Sequence, residues 1–235
     1  MERLDKVIAS ITSYSRKDIK RLVQKGSILV NGENASSSDM KVDIDNDVIK
    51  LDGNILNTSK YVYLVLNKPS GYVSATKDEV DKTVIDLVPT QYKSRNLFPV
   101  GRLDKDTTGM LLITDDGEFA HNLLSPSKHI DKVYEVTIDK EMTEEMVEGF
   151  KVGIPLKDGV CKSSKLEIID KNKGLATLTE GRYHQVKRMF LYYKAIVTSL
   201  NRIKMGNLNL PSDLQVGEIR ELTKEELDIV INSNK

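Results

Sequence analysis

One stretch, Pro99 to Thr114, constrains this chain more than any other because its two halves have opposite chemistry. Residues 110–113 form an unbroken apolar run, long enough for a buried strand and too short for a helix. Residues 101–109 are polar, begin and end with glycine, and alternate two cations with two carboxylates. A charged loop tied to a buried strand is a rigid place to hold a reactive group. The stretch therefore predicts either a site loop that presents Asp104 or an ordinary surface turn.

Composition narrows the class of protein. The 235 residues provide room for one large or two small domains with a core, and 39% apolar with 30% charged residues is typical of a soluble globular protein. No apolar run reaches the length of a membrane span, and the first residues lack a signal-peptide profile. A single cysteine, Cys161, excludes an internal disulfide framework. We therefore expect a cytoplasmic protein with no membrane partner.

Positive charge is concentrated in two segments, although the formal net charge is zero. Residues 1–26 contain seven Lys and Arg against three Asp and Glu, and residues 180–206 contain six against one. Two separated basic patches on a neutral chain suggest that a shaped polyanion binds at two places. The alternative is that both are solvated helix faces.

The first 57 residues predict a compact α/β module. Apolar residues recur with helical spacing over residues 4–11, and Ser15 has the pattern of an N-cap that opens a second helix. Residues 27–32 and 47–51 have the pattern of two paired strands. Two helices and a hairpin of this size lie close to the lower limit for independent folding.

The remainder of the chain predicts a larger domain rich in antiparallel strands. Residues 52–60 are polar and indicate a linker, so we place the boundary between residues 1–57 and 58–235. From Tyr61 onward, strand patterns outnumber helix patterns and the connections between them are short. The fold class expected for the whole chain is therefore α+β, not a doubly wound parallel sheet.

A predicted helix over residues 183–193 divides into two faces. On a helical wheel the first face is apolar and faces the core; it comprises Val186, Met189, Phe190 and Tyr193. The opposite face offers His184, Lys187, Arg188 and Leu191. We expect its cations to face whatever group lies across from this helix.

Four stretches, in this order along the chain, resemble the motifs of RNA pseudouridine synthases. They are residues 67–72 (Asn-Lys-Pro-Ser-Gly-Tyr), the loop and strand at 101–114, residues 132–136 and residues 180–190. The chain is most similar to the small-subunit rRNA branch, the RsuA family. Its N-terminal module is similar to an RNA-binding module shared with a small-subunit ribosomal protein and with tyrosyl-tRNA synthetases.

The resemblance implies a role for each candidate residue. Asp104 matches the catalytic aspartate, Lys187 the basic residue that pairs with it, and Tyr134 the aromatic residue that stacks on the extruded base. Arg102 matches the residue that fills the space left by the flipped uridine. We also expect contacts with RNA from His184 and Arg188, and with the RNA backbone from the second helix of the module through Arg16, Lys17, Lys20 and Arg21.

The implied reaction isomerises one uridine of small-subunit (16S) ribosomal RNA to pseudouridine by base flipping, without a cofactor or metal. The expected partner is ribosomal RNA or a small-subunit assembly intermediate, so the role would be in ribosome biogenesis. We expect a monomer. A C-terminus without a long basic tail favours the small subunit over the alternative, large-subunit (23S) RNA.

Two other classes of function compete with this interpretation. Asp106, Asp115 and Asp116 suggest a metal-dependent nuclease with clustered carboxylates. Adjacent strand residues face opposite sides, however, so Asp115 and Asp116 do not both reach Asp104 without a bend. The second alternative is a non-catalytic RNA-binding assembly factor that keeps the fold.

Overall fold

A computed structural model of the chain describes residues 1–44, 46–56 and 58–234. The chain divides into two compact units, the first formed by residues 1–62 and 90–96 and the second by residues 63–89 and those from Leu97 onward. The predicted domain boundary falls on residue 57, which lies outside the described residues. Among the described residues, no helix is both long and apolar enough to span a membrane.

The first unit combines two helices with short strands. In chain order these are β1 (Glu2–Arg3), α1 (Leu4–Ile11), α2 (Arg16–Gln24), β2 (Ile28–Val30), β3 (Glu33–Asn34), β4 (Lys41–Val42), β5 (Ile49–Leu51) and β6 (Asn54–Ile55), followed by a 3₁₀ turn at Thr90–Tyr92. Strands β3-β2-β5-β6 form one antiparallel sheet, and β1 pairs with β4.

Local sequence determines most of this unit. Leu4, Val7 and Ile8 of α1 are buried with Ile19 of α2 in one core. Ser15 caps α2 reciprocally with Asp18, which confirms the predicted N-cap. The predicted pairing of the two strands is also confirmed, because β2 and β5 are antiparallel neighbours. The prediction of an unstructured linker at residues 52–60 is wrong in part, because this segment contains β6.

The second unit is built on one large sheet. Its first half contains β7 (Tyr63–Lys68), a 3₁₀ turn (Val84–Leu87), β8 (Phe98–Val100), β9 (Thr108–Thr114), α3 (Gly117–Leu124), a 3₁₀ turn (Pro126–Lys128), β10 (Lys132–Ile138) and α4 (Glu144–Val152). Its second half contains β11 (Pro155–Leu156), β12 (Gly159–Val160), β13 (Lys165–Asp170), β14 (Lys173–Leu178), α5 (Gln185–Tyr192), β15 (Val197–Met205), β16 (Leu208–Asn209), β17 (Ile219–Glu221), α6 (Lys224–Ile231) and a 3₁₀ turn (Asn232–Asn234).

The large sheet has the order β13-β14-β10-β15-β9-β7-β17, with β16 on β15 and β8 on β9. Its strand pairs are antiparallel, except that β9 and β15 run parallel. The sheet confirms the predicted antiparallel-rich α+β fold. Strand β9 lies inside the sheet between β7 and β15, and its residues 110–113 are almost completely buried. The apolar run that follows the charged loop is therefore a central strand.

Three sequence predictions require correction. The helix expected at residues 183–193 begins at Gln185, because His184 has a left-handed backbone with φ of 48° that interrupts a helix. Strand β15 was not predicted, because polar residues and the buried Arg202 break its alternation. Residues 90–96 belong to the first unit and not to the larger domain predicted from residue 58 onward, and Tyr92 is buried there.

Candidate active site

The loop between β8 and β9 is held in place by a buried lysine. Lys68, the last residue of β7, is fully buried, and its ammonium group donates to backbone carbonyls of the loop. The distances from Nζ are 3.1 Å to the carbonyl of Asp104, 3.2 Å to that of Lys105 and 2.8 Å to that of Thr107. One charged group therefore fixes the loop backbone from Asp104 to Thr107.

Other contacts attach the same loop to the segment that follows β7. The hydroxyl group of the buried Ser74 donates to the carbonyl of Leu103 at 2.9 Å and accepts from the amide of Leu103 at 3.0 Å. The amide of Gly71 donates to the carbonyl of Lys105 at 2.8 Å. Lys105 also forms an ion pair of 2.6 Å with Asp81. These contacts make the loop a rigid support for its side chains.

The loop ends at a glycine that no other residue can replace without strain. Gly109 has φ of 98° and pairs in parallel with Arg202 of β15. A Cβ atom added to Gly109 would lie 2.3 Å from the carbonyl oxygen of Arg202 and 2.4 Å from Oδ1 of Asn201. The close approach of the two strands therefore requires glycine, and it positions the loop next to β15.

Lys187 lies between two carboxylates of the loop. Its Nζ is 3.0 Å from Oδ2 of Asp104 and 2.5 Å from Oδ1 of Asp106. Burial lowers the pKa of Lys187, but the hydrogen bonds to Asp106 and Asp104 outweigh this effect and hold the pKa above its ordinary value. The hydrogen bond from Lys187 also lowers the pKa of Asp106. The side chains of Asp104 and Lys187 are each 23% exposed. A ligand in solution can therefore reach Asp104 while Lys187 remains paired with it.

The neighbours of Lys187 on the same motif have different roles. Nε2 of His184 is 3.6 Å from Oδ1 of Asp104, so this imidazole joins the site. Arg188, for which a contact with RNA stays a prediction, pairs with Asp158 through two hydrogen bonds of 2.8 Å and 3.1 Å. Asp158 lies in the turn between β11 and β12. The cation of Arg188 is thus already paired within the protein.

Tyr134 occupies the same row of the sheet as the end of the loop. In the strand register Tyr134 pairs with Arg202, and Arg202 pairs with Gly109, so the three residues form one row across β10, β15 and β9. Adjacent strands are about 4.8 Å apart, which separates Tyr134 from Gly109 by about 10 Å. The ring of Tyr134 is buried. Arg202 is also buried, and its Nε donates to the carbonyl of Met110 at 2.8 Å.

The remaining candidates lie at the surface. Arg102 is an exposed residue of the loop between β8 and β9. The four cations predicted to contact RNA backbone lie on α2 of the first unit and are all exposed; we call them the basic stripe, and they are Arg16, Lys17, Lys20 and Arg21. The structure thus brings together Asp104, Lys187 and His184, and it turns Arg188 toward a different carboxylate.

Sequence reasoning missed the contribution of Lys68. We predicted no role for Lys68, although a lysine at the end of a largely apolar strand needs buried acceptors. Burial lowers the pKa of Lys68 to about 8, against the opposing attraction of Asp106 and Asp104. Sequence reasoning also missed Asp106 as the second partner of Lys187 and Asp158 as the partner of Arg188. Neither partner has a signal in linear spacing, because each contact joins residues far apart in the chain.

The acidic residues that suggested a nuclease do not converge around a space for a metal ion. Asp104 and Asp106 both face the ammonium group of Lys187. Asp116 caps α3, because its Oδ1 accepts from the amides of Glu118 and Phe119, each at 3.0 Å. Within the described residues, no group of three or more His, Cys, Asp or Glu side chains is arranged to bind a metal ion. The geometry favours chemistry at one carboxylate supported by a lysine.

Comparisons with known families agree with the fold. Residues 62–192 match the family described as RNA pseudouridylate synthase, and residues 2–49 match the S4 domain. A crystal structure described as a pseudouridylate synthase superimposes with a TM-score of 0.69 at 34% identity, covering 98% of this chain and all of the other. The protein is therefore an RNA pseudouridine synthase that carries an N-terminal S4 domain.

Curated relatives narrow the assignment within this class. An uncharacterised RNA pseudouridine synthase of Bacillus subtilis is 40% identical over 97% of this chain and 98% of its own length. The ribosomal small subunit pseudouridine synthase A of Escherichia coli K12 is 38% identical over 97% of this chain and all of its own length. This chain belongs to the RsuA family of pseudouridine synthases.

Proposed function

We propose that this enzyme converts one uridine of small-subunit ribosomal RNA to pseudouridine and that Asp104 is its essential catalytic group. One observation supports the role of Asp104: it is a partly exposed carboxylate on an immobilised loop, paired at 3.0 Å with Lys187. The relatives named ribosomal small subunit pseudouridine synthase A support the choice of RNA. We further propose residues 1–57 as the RNA-binding domain and residues 58–235 as the catalytic domain.

The reaction breaks the bond between C1′ of the ribose and N1 of uracil, rotates the detached base and forms a bond from C1′ to C5. C5 then loses its proton and N1 gains one, so that the product is an isomer of uridine. An ionised carboxylate suits this sequence because it forms a bond to the sugar, or stabilises positive charge on it, and then leaves. Lys187 places a positive charge 3.0 Å from the carboxylate of Asp104. Asp106 shares this lysine and adds a second negative charge beside it.

The target uridine must leave the RNA helix before it reaches Asp104, which costs a few kcal/mol. We propose that Tyr134 stacks on the extruded base and that the exposed Arg102 fills the space it leaves. Stacking of a base on an aromatic ring contributes about 1–3 kcal/mol, which offsets much of this cost. The basic stripe on α2 would position the RNA through its phosphates without reading sequence.

The proposed function is tested with purified enzyme and two unmodified transcripts, one of small-subunit and one of large-subunit ribosomal RNA. Pseudouridine is mapped by carbodiimide modification followed by reverse transcription. We expect one new pseudouridine in the small-subunit transcript. The same position should be an unmodified uridine in ribosomal RNA from a strain without this gene. A product only in the large-subunit transcript would reassign the substrate. Binding without product on either transcript would favour the assembly-factor alternative.

A further inference from the structure

An exposed aromatic ring stands at the edge of the candidate active site. Tyr183 is 77% exposed, whereas aromatic side chains normally bury most of their surface. Its ring stacks on the imidazole of His184, with ring centroids 3.8 Å apart and planes inclined by 18°. Since one ring face covers His184, the high exposure of Tyr183 places its other face in solvent. The protein thus presents a flat, open aromatic surface.

The turn that carries this ring pair is held firmly. Gln185 is buried; its Oε1 accepts from the amide of Arg182 at 2.9 Å and its Nε2 donates to Glu180 at 2.7 Å. His184 has a left-handed backbone with φ of 48°, a conformation that is unfavourable for a residue other than glycine. The buried network maintains this strain. A preorganised ring loses little freedom when a ligand stacks on it.

The stacked rings of Tyr183 and His184 lie next to Asp104. The imidazole under Tyr183 is the one whose Nε2 lies 3.6 Å from Oδ1 of Asp104. A ligand on the open face of Tyr183 would therefore lie close to any nucleotide bound at Asp104. When a uridine flips out of a stack, the bases beside it lose a neighbour and expose a flat face. Unstacked RNA bases commonly bind to aromatic side chains.

We propose that the open face of Tyr183 is a subsite that stacks on a nucleobase flanking the target uridine in the RNA. This inference rests on the proposed function and adds a contact to it. Stacking accepts any base, because every base has a π-face. The subsite therefore strengthens binding of RNA around the target without selecting a particular sequence.

The test compares variants of Tyr183 in pseudouridine formation under single-turnover conditions. The substrate is the unmodified small-subunit transcript, and enzyme concentration is varied to separate the half-saturating concentration from the saturating rate. We expect Tyr183→Ala and Tyr183→Leu to raise the half-saturating concentration about tenfold, and to leave the saturating rate within about threefold of wild type. Tyr183→Phe keeps the flat ring and should behave like wild type.

Tyr192→Ala is the matched control, because Tyr192 is also exposed, at 54%, and lies at the far end of α5 from His184. We expect this variant to bind RNA like wild type. Thermal unfolding of each variant checks that the fold is unchanged. Equal half-saturating concentrations for wild type and Tyr183→Ala would overturn the inference. Wild-type behaviour of Tyr183→Leu would also overturn the inference, because leucine provides apolar area but no planar ring.

A double-mutant cycle identifies the base. RNA fragments carrying an abasic site at single positions beside the target uridine are bound to wild type and to Tyr183→Ala. At one position, we expect the abasic site to weaken binding to wild type and to have no further effect on the variant. Additive effects at every position would overturn the inference. If wild type binds RNA but forms no pseudouridine, the proposed function fails, while the cycle on dissociation constants still decides the stacking contact.

Discussion

At the scale of single residues, the site depends on one ammonium group shared by two carboxylates. Lys187 contacts both Asp104 and Asp106, and only Asp104 is substantially shielded, since the side chain of Asp106 is 71% exposed. Electrostatic interactions are stronger in a partly desolvated place than in water. The contact with Asp104 should therefore matter more for catalysis than the contact with Asp106.

Substitution of Lys187 tests this electrostatic role. Lys187→Met keeps much of the apolar stem and removes the charge, so we expect the rate of pseudouridine formation to fall by about 10²–10³-fold. Lys187→Arg keeps the charge in a bulkier side chain and should retain activity within about tenfold of wild type. The measurement is the single-turnover rate at neutral pH. If both variants matched wild type, the pairing would have no catalytic consequence; if both folded and were equally inactive, geometry and not charge would be decisive.

At the scale of elements, the close packing of β9 against β15 positions the catalytic loop. Gly109→Ala places a Cβ atom 2.3 Å from the backbone of Arg202 and requires a residue with a side chain to adopt φ of 98°. We expect this change to lower the free energy of unfolding by about 3 kcal/mol or more. Gly117→Ala is the control, because no atom lies within 4 Å of the added Cβ. Urea unfolding should show the control within about 0.5 kcal/mol of wild type.

We predict that enzyme activity depends on pH through Lys68, which joins β7 to the loop. The pKa of Lys68 is lowered to about 8, so its ammonium group loses a proton, and with it a donor to the loop carbonyls, as pH rises. We expect activity to decline between pH 7 and 9. Lys132→Met is the control: Lys132 also has a pKa lowered to about 8 by burial, but its Nζ donates to the carbonyl of Ile130. The decline should persist in that variant, and its loss there would contradict the assignment to Lys68.

Stability should respond with the opposite sign. The unfolded chain holds the Lys68 proton more tightly, since its pKa there is the ordinary 10.5. The unfolded state therefore binds more protons between about pH 8 and 10.5, and the contribution of Lys68 to the free energy of unfolding increases with pH in that window. Urea unfolding of wild type and of Lys68→Met at pH 7 and 9 isolates this contribution. A contribution that falls as pH rises would contradict the shift.

Elements with local signals were predictable from the sequence, and elements that depend on distant partners were not. The N-cap of α2 and the apolar run of β9 follow from neighbouring residues, and both are confirmed. Strand β15 escaped prediction because its buried Arg202 is stabilised by a carbonyl of β9, far away in the chain. The candidate residues of the site were predictable by resemblance to family motifs. The contacts of Lys68 and Arg188 were not, because their partners are also distant in the chain.

At the scale of the whole molecule, the basic stripe should contribute affinity without chemistry. The logarithm of the binding constant falls linearly with the logarithm of salt concentration. Each phosphate contact made by a cation adds about 0.7 to the magnitude of this slope for single-stranded RNA. Replacing the stripe with glutamine should reduce this slope by about 2 to 3 and leave the rate at saturating RNA unchanged. The charge-matched control replaces four exposed lysines of the second unit, namely Lys140, Lys151, Lys165 and Lys171. An equal loss of slope in both variants would make the stripe ordinary surface.

Substitution is a better test of the proposed domains than truncation after residue 57. The segment 90–96 packs within the first unit: Ser94 donates to the carbonyl of Ile11 at 2.8 Å, and Arg95 donates to the carbonyl of Lys60 at 2.6 Å. Removing residues 1–57 would take away Ile11, whose carbonyl is the acceptor for Ser94. A loss of RNA binding after truncation would then combine lost charge with altered packing.

The central claim is that Asp104 is the essential catalytic group, and Asp104→Asn tests it most directly. Asparagine has nearly the same shape as aspartate but lacks its charge, so the fold should be kept. We predict that single-turnover pseudouridine formation falls at least about 10³-fold, with RNA affinity within about threefold of wild type. The matched variant Asp106→Asn should retain activity within about tenfold, although it removes a carboxylate from the same lysine. Turnover by Asp104→Asn within about tenfold of wild type would contradict the claim.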